Sequence, residues 1–175
     1  MNAIVYHSNT GYTERYAKAL SKESGIRAYS LEQAMKELPK DSHILFMSWV
    51  KAGAVEKARA ASKRFYLDGI CAVGLNTSSG TERALRGQTG VSREYPFFML
   101  PGGYDRSKLG KIDGFLMDLM LKKLNRDLSK KLRPSETELG MQQVLTSGGD
   151  FYDEDQLAPV MVWIESQRKK KKNKK

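Results

Sequence analysis

The 175-residue sequence has little of what thiol and metal chemistry require, since it contains one cysteine and two histidines. Cys71 has no second cysteine with which to form an internal disulfide. It lies in an apolar run, residues 70–75, where we expect a small core residue rather than a nucleophile. His7 and His43 are far apart in the sequence, which leaves a histidine-based metal cluster or catalytic triad little to build on. We therefore predict no metal site.

The sequence also lacks an apolar run long enough to cross a bilayer, and Met1 leads directly into a strand-like segment rather than into a secretory leader. We therefore expect a cytoplasmic protein. Apolar residues make up 40% and charged residues 29% of the chain, a balance typical of globular proteins rather than disordered ones. A chain of this length is expected to form one domain, which we assign to residues 1–167.

Positive charge is concentrated at the end of the chain. The formal net charge is +10, and residues 168–175 supply seven of the basic groups, so the rest of the chain is only mildly basic. We predict that residues 168–175 form a disordered Lys-rich tail. Such a run can attract nucleic acid or anionic lipid, but a solubilising tail is the simpler interpretation, and we do not expect nucleic-acid binding.

Short apolar segments alternate with helical patterns along the first hundred residues. Strands are predicted at residues 2–7, 25–30, 43–48, 69–75 and 95–100, and helices at residues 13–23, 31–37, 54–66 and 81–91. Continuous apolar strands that alternate with helices imply a parallel sheet, because the crossover helices must pack on its two faces. We predict an α/β fold with a doubly wound five-stranded parallel sheet in the order 2-1-3-4-5, helices on both faces, and a ligand site at the carboxyl ends of the strands.

A hydroxyl-rich loop follows the first predicted strand. It contains Ser8, Asn9, Thr10, Gly11, Tyr12 and Thr13. The helix that follows directs its first unpaired backbone N–H groups into this loop, where the positive end of the helix dipole favours an anion. The hydroxyls can donate to phosphate oxygens, and the glycine allows a close approach of the backbone. The alternative is ordinary turn and N-cap chemistry, for which the same residue types are common.

The pattern Ser-x-Thr-Gly-x-Thr after an N-terminal strand resembles the phosphate-binding loop of flavodoxins, which hold FMN. Every fixed position of that pattern is filled here, by Ser8, Thr10, Gly11 and Thr13. The resemblance implies a flavodoxin-like fold with FMN as the cofactor. In such a protein the flavin carries the electrons while the protein sets its potential, so we assign no catalytic side chain.

Two further loops are expected at the same edge of the sheet. The first follows the third predicted strand and contains Trp49, Val50, Lys51, Ala52 and Gly53; the second follows the fourth strand and contains Asn76, Thr77 and Ser78. Trp49 can lay its flat face on the isoalloxazine ring, although it can also pack on the edge of its own sheet. The second loop can hydrogen-bond the pyrimidine side of the ring. Lys51, if directed toward the ring, would favour the anionic reduced flavin and raise its potential.

A basic amphipathic segment occupies about residues 106–133, with a predicted helix over residues 113–124. Its apolar residues recur at helical spacing, at Ile112, Phe115, Leu116, Leu119 and Met120, and lysines and arginines border them. This pattern is typical of a helix that rests on an anionic membrane surface or binds a partner, and equally of a helix that packs in the core. A last helix is predicted from near Asp153, where Gln156 completes a capping-box-like pair.

The layout from Met99 through this amphipathic segment to the closing helix also resembles flavodoxin-domain protoporphyrinogen oxidases of the oxygen-independent, quinone-linked kind. The resemblance covers most of residues 1–165. It implies FMN, oxidation of protoporphyrinogen to protoporphyrin, and delivery of electrons to a membrane quinone. It also implies that the extra helical segment lies near the substrate and the inner face of the membrane.

Three classes of function stay open at this point. The first is an FMN-dependent oxidoreductase that passes electrons to a quinone or a redox partner protein. The second is an electron carrier that exchanges electrons with protein partners, and the third is a non-redox module that binds a phosphorylated ligand. Carrier flavodoxins tend to present acidic faces, whereas this chain is mildly basic, which favours the first class. The sequence leaves the oligomeric state open.

Overall fold

The structure, a computed structural model, describes residues 1–75, 79–90 and 95–172. These residues form two compact units. The first, here called the sheet unit, comprises residues 1–102 together with residues 152–172, and the second, the insert unit, comprises Gly103–Phe151. Residues 1–167, which the sequence predicts to form one domain, include parts of both units.

The described residues contain eight strands and seven α-helices. The strands are β1 (Ala3–His7), β2 (Ala28–Ser30), β3 (His43–Lys51), β4 (Ala54–Val55), β5 (Tyr66–Gly74), β6 (Phe97–Pro101), β7 (Gly103–Tyr104) and β8 (Gly149–Asp150). The helices are α1 (Tyr12–Ser24), α2 (Leu31–Glu37), α3 (Ala58–Ser62), α4 (Ser79–Gln88), α5 (Lys111–Leu128), α6 (Glu136–Ser147) and α7 (Ala158–Lys172). None of these helices is long and apolar enough to span a bilayer.

The sheet unit is built on a parallel sheet with the strand order β2-β1-β3-β5-β6. Each neighbouring pair in that order is parallel, and the short β4 pairs antiparallel with the end of β3. If β4 is set aside, the parallel strands follow the order 2-1-3-4-5. The predicted flavodoxin-like, doubly wound fold is therefore confirmed.

Helices cover both faces of this sheet because successive strand residues point to opposite sides. One face carries Ile4, Leu45, Met47, Cys71 and Val73, which pack with α1 and α7 through Tyr16, Leu20, Val160 and Ile164. The other carries Val5, Ile44, Phe46, Ile70 and Ala72, which pack with α2, α3 and α4 through Leu31, Ala34, Ala58, Ala61 and Leu85. Cys71 is fully buried, as expected of a core residue, and burial raises the pKa of its thiol.

Local sequence signals set the ends of several helices. Helix α1 ends at Gly25, which adopts a left-handed conformation (φ 69°) and donates its N–H to the carbonyl of Ser21. Helix α2 begins with a reciprocal capping box in which the Ser30 hydroxyl accepts from the Gln33 N–H and the Gln33 side chain accepts from the Ser30 N–H. These bounds agree closely with the predicted helices.

The predicted helix over residues 54–66 is wrong. Residues 54–55 form β4, only Ala58–Ser62 form α3, and Tyr66 already begins β5. The physical reason is the positive φ of Ala52, Gly53 and Lys57, which turns the chain back on β3 and delays the helix. The helix predicted at residues 81–91 is α4, which ends at Gln88, and Val91 lies outside the described residues.

The closing helix also differs from its prediction. A short 3₁₀ turn, Glu154–Leu157, precedes α7, and the Gln156 amide bonds the Asp153 carboxylate at 3.0 Å. Helix α7 then continues to Lys172, within the segment predicted to be a disordered tail, while residues 173–175 lie outside the described residues. The guanidinium of Arg168 donates to the Ser24 carbonyl at the end of α1. Lysine and arginine are good helix formers, so the basic run can extend the helix.

The insert unit consists mainly of α5 and α6, together with a 3₁₀ turn at Arg106–Lys108. Its two short strands, β7 and β8, pair antiparallel and bring its ends together. The Ser135 hydroxyl and the Glu138 carboxylate form a capping box at the start of α6. Arg106 forms a bidentate ion pair with Asp118, at 2.9 and 3.1 Å.

Candidate functional site

The candidate site lies where the carboxyl ends of β1 and β3 meet in the middle of the sheet. His7 is the register partner of Ser48, so the loop after β1 begins beside the end of β3. The chain continues from β1 to one side of the sheet, as β2, and then returns to the other side, as β3. This reversal is the topological switch point at which open α/β sheets bind ligands.

The first part of the site is the β1–α1 loop, Ser8–Gly11, which connects the strand and helix as predicted. Gly11 is the N-cap of α1 and has a left-handed backbone (φ 92°), a conformation that favours glycine. Its N–H donates to the Ser8 hydroxyl at 3.2 Å, which shapes the turn. The N-cap, being a glycine, has no side chain with which to cap the first turn of α1. Apart from its chain neighbours, no atom of the described residues lies within 4 Å of the position that a Cβ at Gly11 would take. The positive end of this helix therefore has space for an anion beside Gly11.

The predicted phosphate donors differ in exposure. Ser8, Thr10 and Gly11 are half-buried and Asn9 is exposed. Thr13 is buried, with 2% of its surface exposed, and Tyr12 is buried with it against the core of the sheet unit. The hydroxyls within easiest reach of a ligand are therefore those of Ser8 and Thr10.

A carboxylate lies in the first turn of α1, where it could repel an anion. This is Glu14, whose carboxylate pairs with the Lys18 ammonium at 2.7 Å and accepts from the Tyr6 hydroxyl at 3.3 Å. The hydrogen bond from Lys18 is the main reason why the pKa of Glu14 lies below its usual value. Burial, and then Glu14, raise the pKa of Tyr6. Because Lys18 balances this charge, Glu14 opposes anion binding only weakly.

The second part of the site is the end of β3, which was predicted to be a loop. Trp49, Val50 and Lys51 continue the strand, and the chain turns back at Ala52 and Gly53 to pair Val50 with Val55. The φ angles of Ala52 and Gly53 are 48° and 80°, the signs that a tight type I′ hairpin needs. The predicted loop is therefore a β-hairpin, which fixes the position of Trp49 more firmly than a loop would.

Two consecutive polar side chains at the end of β3 have buried atoms that lack partners among the described residues: the Ser48 hydroxyl and the Trp49 Nε1. Ser48 is fully buried, and Trp49 is half-buried. A buried polar group without a partner costs about 1–3 kcal/mol, so such groups mark places where a ligand can supply the missing bond. Ser48 was not among the predicted site residues, although a serine that ends the apolar run of residues 44–47 is a signal visible in the sequence.

The side chain of Lys51 contacts the ring of Trp49. Its ammonium nitrogen lies 5.4 Å from the centre of the Trp49 ring, within the range of a cation–π interaction. The positive charge and the aromatic face are thus held together at one end of β3. This arrangement can present both a stacking surface and a cation to a flat, electron-accepting ligand.

The third predicted part, Asn76, Thr77 and Ser78, lies outside the described residues. The strand before it is described: β5 ends at Gly74, and a Cβ there would lie 3.2 Å from the Val50 side chain. The chain therefore leaves β5 beside the hairpin at the end of β3. The structure brings Ser8–Gly11 and Ser48–Gly53 to neighbouring strand ends, and the role of the loop after β5 stays a prediction.

Comparison with known proteins adds little to this assignment. No protein-family model and no curated protein matches the sequence. Among solved structures, the chain is similar to the flavodoxin, WrbA-like protein from Agrobacterium tumefaciens, with a TM-score of 0.40 and 20% identity over 57% of this chain and 82% of that one. Because this likeness is distant, the assignment of a flavodoxin-like fold rests on the order and direction of the strands.

Proposed function

We propose that this chain is an FMN-binding redox protein. The phosphate of FMN would bind at the start of α1, held by backbone N–H groups and by the hydroxyls of Ser8 and Thr10. The observation that carries the proposal is the space beside Gly11 among the described residues, at the N-terminus of α1 and at the switch point of the sheet. A non-redox phospholigand module would use the same loop, and it would not need a flat aromatic surface beside it.

The hairpin at the end of β3 would hold the flavin ring. Trp49 offers a half-buried aromatic surface, and Ser48 offers a hydroxyl at the neighbouring strand position. The Trp49 Nε1 and the Ser48 hydroxyl are both buried and have no partner within the described part of the chain. Consecutive strand residues point to opposite faces, so only one of the two need contact the ring directly. FMN, when bound, supplies the one- or two-electron chemistry. The residues of the chain bind it, orient it and set the charge around it.

Within this function, we favour an oxidoreductase that oxidises protoporphyrinogen or a related reductant and passes the electrons to a quinone. The resemblance described above, which runs from Met99 to the closing helix, supports this choice, as does the mildly basic character of the chain outside residues 168–175. An electron carrier with protein partners is the second candidate, since the same cofactor site would serve it.

Calorimetric titration of the apoprotein with FMN tests the cofactor site. We expect the wild-type apoprotein to bind FMN saturably. In Thr10→Ala/Thr13→Ala the free energy of FMN binding should weaken by about 2–4 kcal/mol, if each lost charge-assisted hydrogen bond contributes roughly 1.5–3 kcal/mol. Because Thr13 is buried, Thr10→Ala alone serves as a second variant that leaves the core intact. Ser21→Ala, at the other end of α1, is the matched control and should bind FMN normally. Folded apoprotein that takes up no FMN would overturn the proposal.

Two further titrations separate the three classes. A phospholigand module would bind inorganic phosphate or many phosphorylated compounds as well as FMN, whereas a flavoprotein should prefer FMN over both riboflavin and phosphate. Turnover of protoporphyrinogen in the presence of a quinone, followed by porphyrin fluorescence, distinguishes the oxidase from a carrier. Protein that holds FMN but turns over no porphyrinogen would leave the carrier as the better assignment.

A further inference from the structure

Helix α5 of the insert unit is apolar on two opposite sides. One side packs inward and contains Gly114, Met117, Leu121, Leu124 and Leu128, which are buried or half-buried. These positions are separated alternately by three and four residues, the spacing of a helix face that meets another helix. The other side contains Ile112, Phe115, Leu116, Leu119 and Met120, whose side chains are 43–77% exposed. We call this second set the outer stripe.

The outer stripe is not explained by packing within the unit. At 3.6 residues per turn, its centre lies on the side of the helix opposite to the inward face, so one helix position cannot bury both. The interpretation of the whole helix as a core helix is therefore wrong: only its inward face is packed. Scattered exposed apolar residues are common, but a continuous stripe of five large ones over nine residues of helix marks an interaction surface.

Cations border the outer stripe at its C-terminal end. Residues 106–133 contain nine lysines and arginines against three carboxylates, and six of these cations follow Leu119. Lys122 and Lys123 are exposed, and neither forms an ion pair within the described part of the chain. Lys123 also continues the helical spacing of Leu116 and Met120, so its charge lies at the end of the stripe itself. Their long aliphatic stems allow the ammonium groups to reach past an apolar contact to a polar layer.

We propose that the outer stripe of α5 docks on an anionic lipid surface. The five apolar side chains would enter the boundary between headgroups and acyl chains, with the helix parallel to the membrane plane, and the neighbouring cations would meet lipid phosphates. The charge pattern favours this occupant, because the excess of cations beside the stripe is complementary to an anionic surface. The proposal rests on α5 alone and stands whether or not the chain binds FMN.

Vesicle flotation of the full chain tests this inference. We expect binding to vesicles of phosphatidylcholine with phosphatidylglycerol, and little binding to phosphatidylcholine alone, because the cations need an anionic surface. Added salt should weaken the electrostatic contribution to vesicle binding, whereas the contribution of the apolar stripe should remain. Equal binding to both kinds of vesicle, or none to either, would overturn the proposal.

Two variants separate the apolar and the electrostatic contributions. Phe115→Gln/Leu119→Gln removes the centre of the outer stripe and should lower the partition coefficient at least tenfold. Lys122→Gln/Lys123→Gln should lower it by about 30-fold, which corresponds to roughly 1 kcal/mol for each cation. Leu139→Gln on α6 and Val162→Gln on α7 replace other exposed apolar residues and serve as matched controls. If the controls reduce binding as much as the stripe variants do, the proposal fails.

Sedimentation of the same variants distinguishes a second copy of the chain as the occupant. If the outer stripe were a dimer contact, the wild-type chain would form dimers, and Phe115→Gln/Leu119→Gln would convert them to monomers. In that case the wild-type chain would not bind vesicles. Circular dichroism checks that each variant keeps its fold, as expected for substitutions at exposed positions. A stripe-dependent dimer without vesicle binding would replace the lipid proposal.

Discussion

The hydroxyl of Tyr16 donates a hydrogen bond to the carbonyl of Pro101 at 2.8 Å, although 85 positions separate the two residues. The same oxygen accepts from the backbone N–H of Asp153 at 2.9 Å. Pro101 ends β6, and Asp153 caps the 3₁₀ turn before α7. A single buried side chain of α1 therefore holds the two places at which the chain leaves the sheet unit and returns to it.

Tyr16→Phe should destabilise the sheet unit by about 1–3 kcal/mol, because it removes the hydroxyl that bonds both the Pro101 carbonyl and the Asp153 N–H. The pKa of Tyr16 lies above its usual value, chiefly because of burial, so the hydroxyl stays protonated and able to donate. Urea unfolding provides the measurement. Tyr66→Phe, at an exposed tyrosine, is the control and should leave the free energy of unfolding nearly unchanged; a similar loss in both variants would contradict the assignment.

Gly53→Ala should destabilise the chain, while Gly87→Ala should stabilise it. Gly53 has a φ of 80°, and a Cβ there would meet the Gln88 side chain, so alanine is strained by about 1–2 kcal/mol. Gly87 lies near the end of α4, and no other part of the described chain approaches the position of its Cβ, so alanine there gains about 0.5–1 kcal/mol. Thermal unfolding of the two variants measures the difference. Equal effects would mean that the hairpin after β3 is not as tight as described.

Lys51→Glu should lower the reduction potential of bound FMN. The Lys51 ammonium lies over the Trp49 ring, so its charge acts near the proposed flavin position, and reversing it disfavours the anionic reduced flavin by an energy on the order of 1 kcal/mol or more. Lys51→Arg keeps the charge and should keep the potential. Potentiometric titration of the FMN-loaded protein gives the answer; an unchanged or higher potential in Lys51→Glu would place Lys51 away from the ring.

The start of α6 should loosen as the pH falls toward 2. A hydrogen bond from Lys131, followed by bonds to Ser135, lowers the pKa of Glu138 to about 2. This folded-state pKa is below the ordinary value of 4.5. The ionised Glu138 carboxylate therefore stabilises the fold fully above pH 4.5, and this stabilisation is lost as the pH falls through the folded-state pKa. Glu138→Gln should show faster amide exchange in α6 at neutral pH. Glu136→Gln, two residues earlier in the same first turn of α6, is the control, and an equal effect in it would contradict this role of the capping box.

The strand order could be predicted because the strands of the sheet unit are short apolar runs between clear turn and helix signals. The hairpin after β3 could not, since residues 54–66 read as a helical pattern and only the positive φ angles of Ala52, Gly53 and Lys57 reveal the turn. Alanine and lysine seldom adopt positive φ angles, so their presence in the sequence does not predict a turn. Ser48 was missed for a related reason: a serine at a strand end becomes informative only when its hydroxyl is found buried without a partner.

The sequence by itself determined the alternation of strands and helices and the hydroxyl-rich turn after β1, because these depend on local periodicity and on residue types that suit a turn. Only the tertiary structure decided which apolar faces are covered. Helix α5 and helix α1 both have apolar stripes, yet packing buries Tyr16 and Leu20 against the sheet and leaves Phe115 and Leu119 exposed. Periodicity records that a face is apolar, whereas burial depends on whether another element of the fold lies against it.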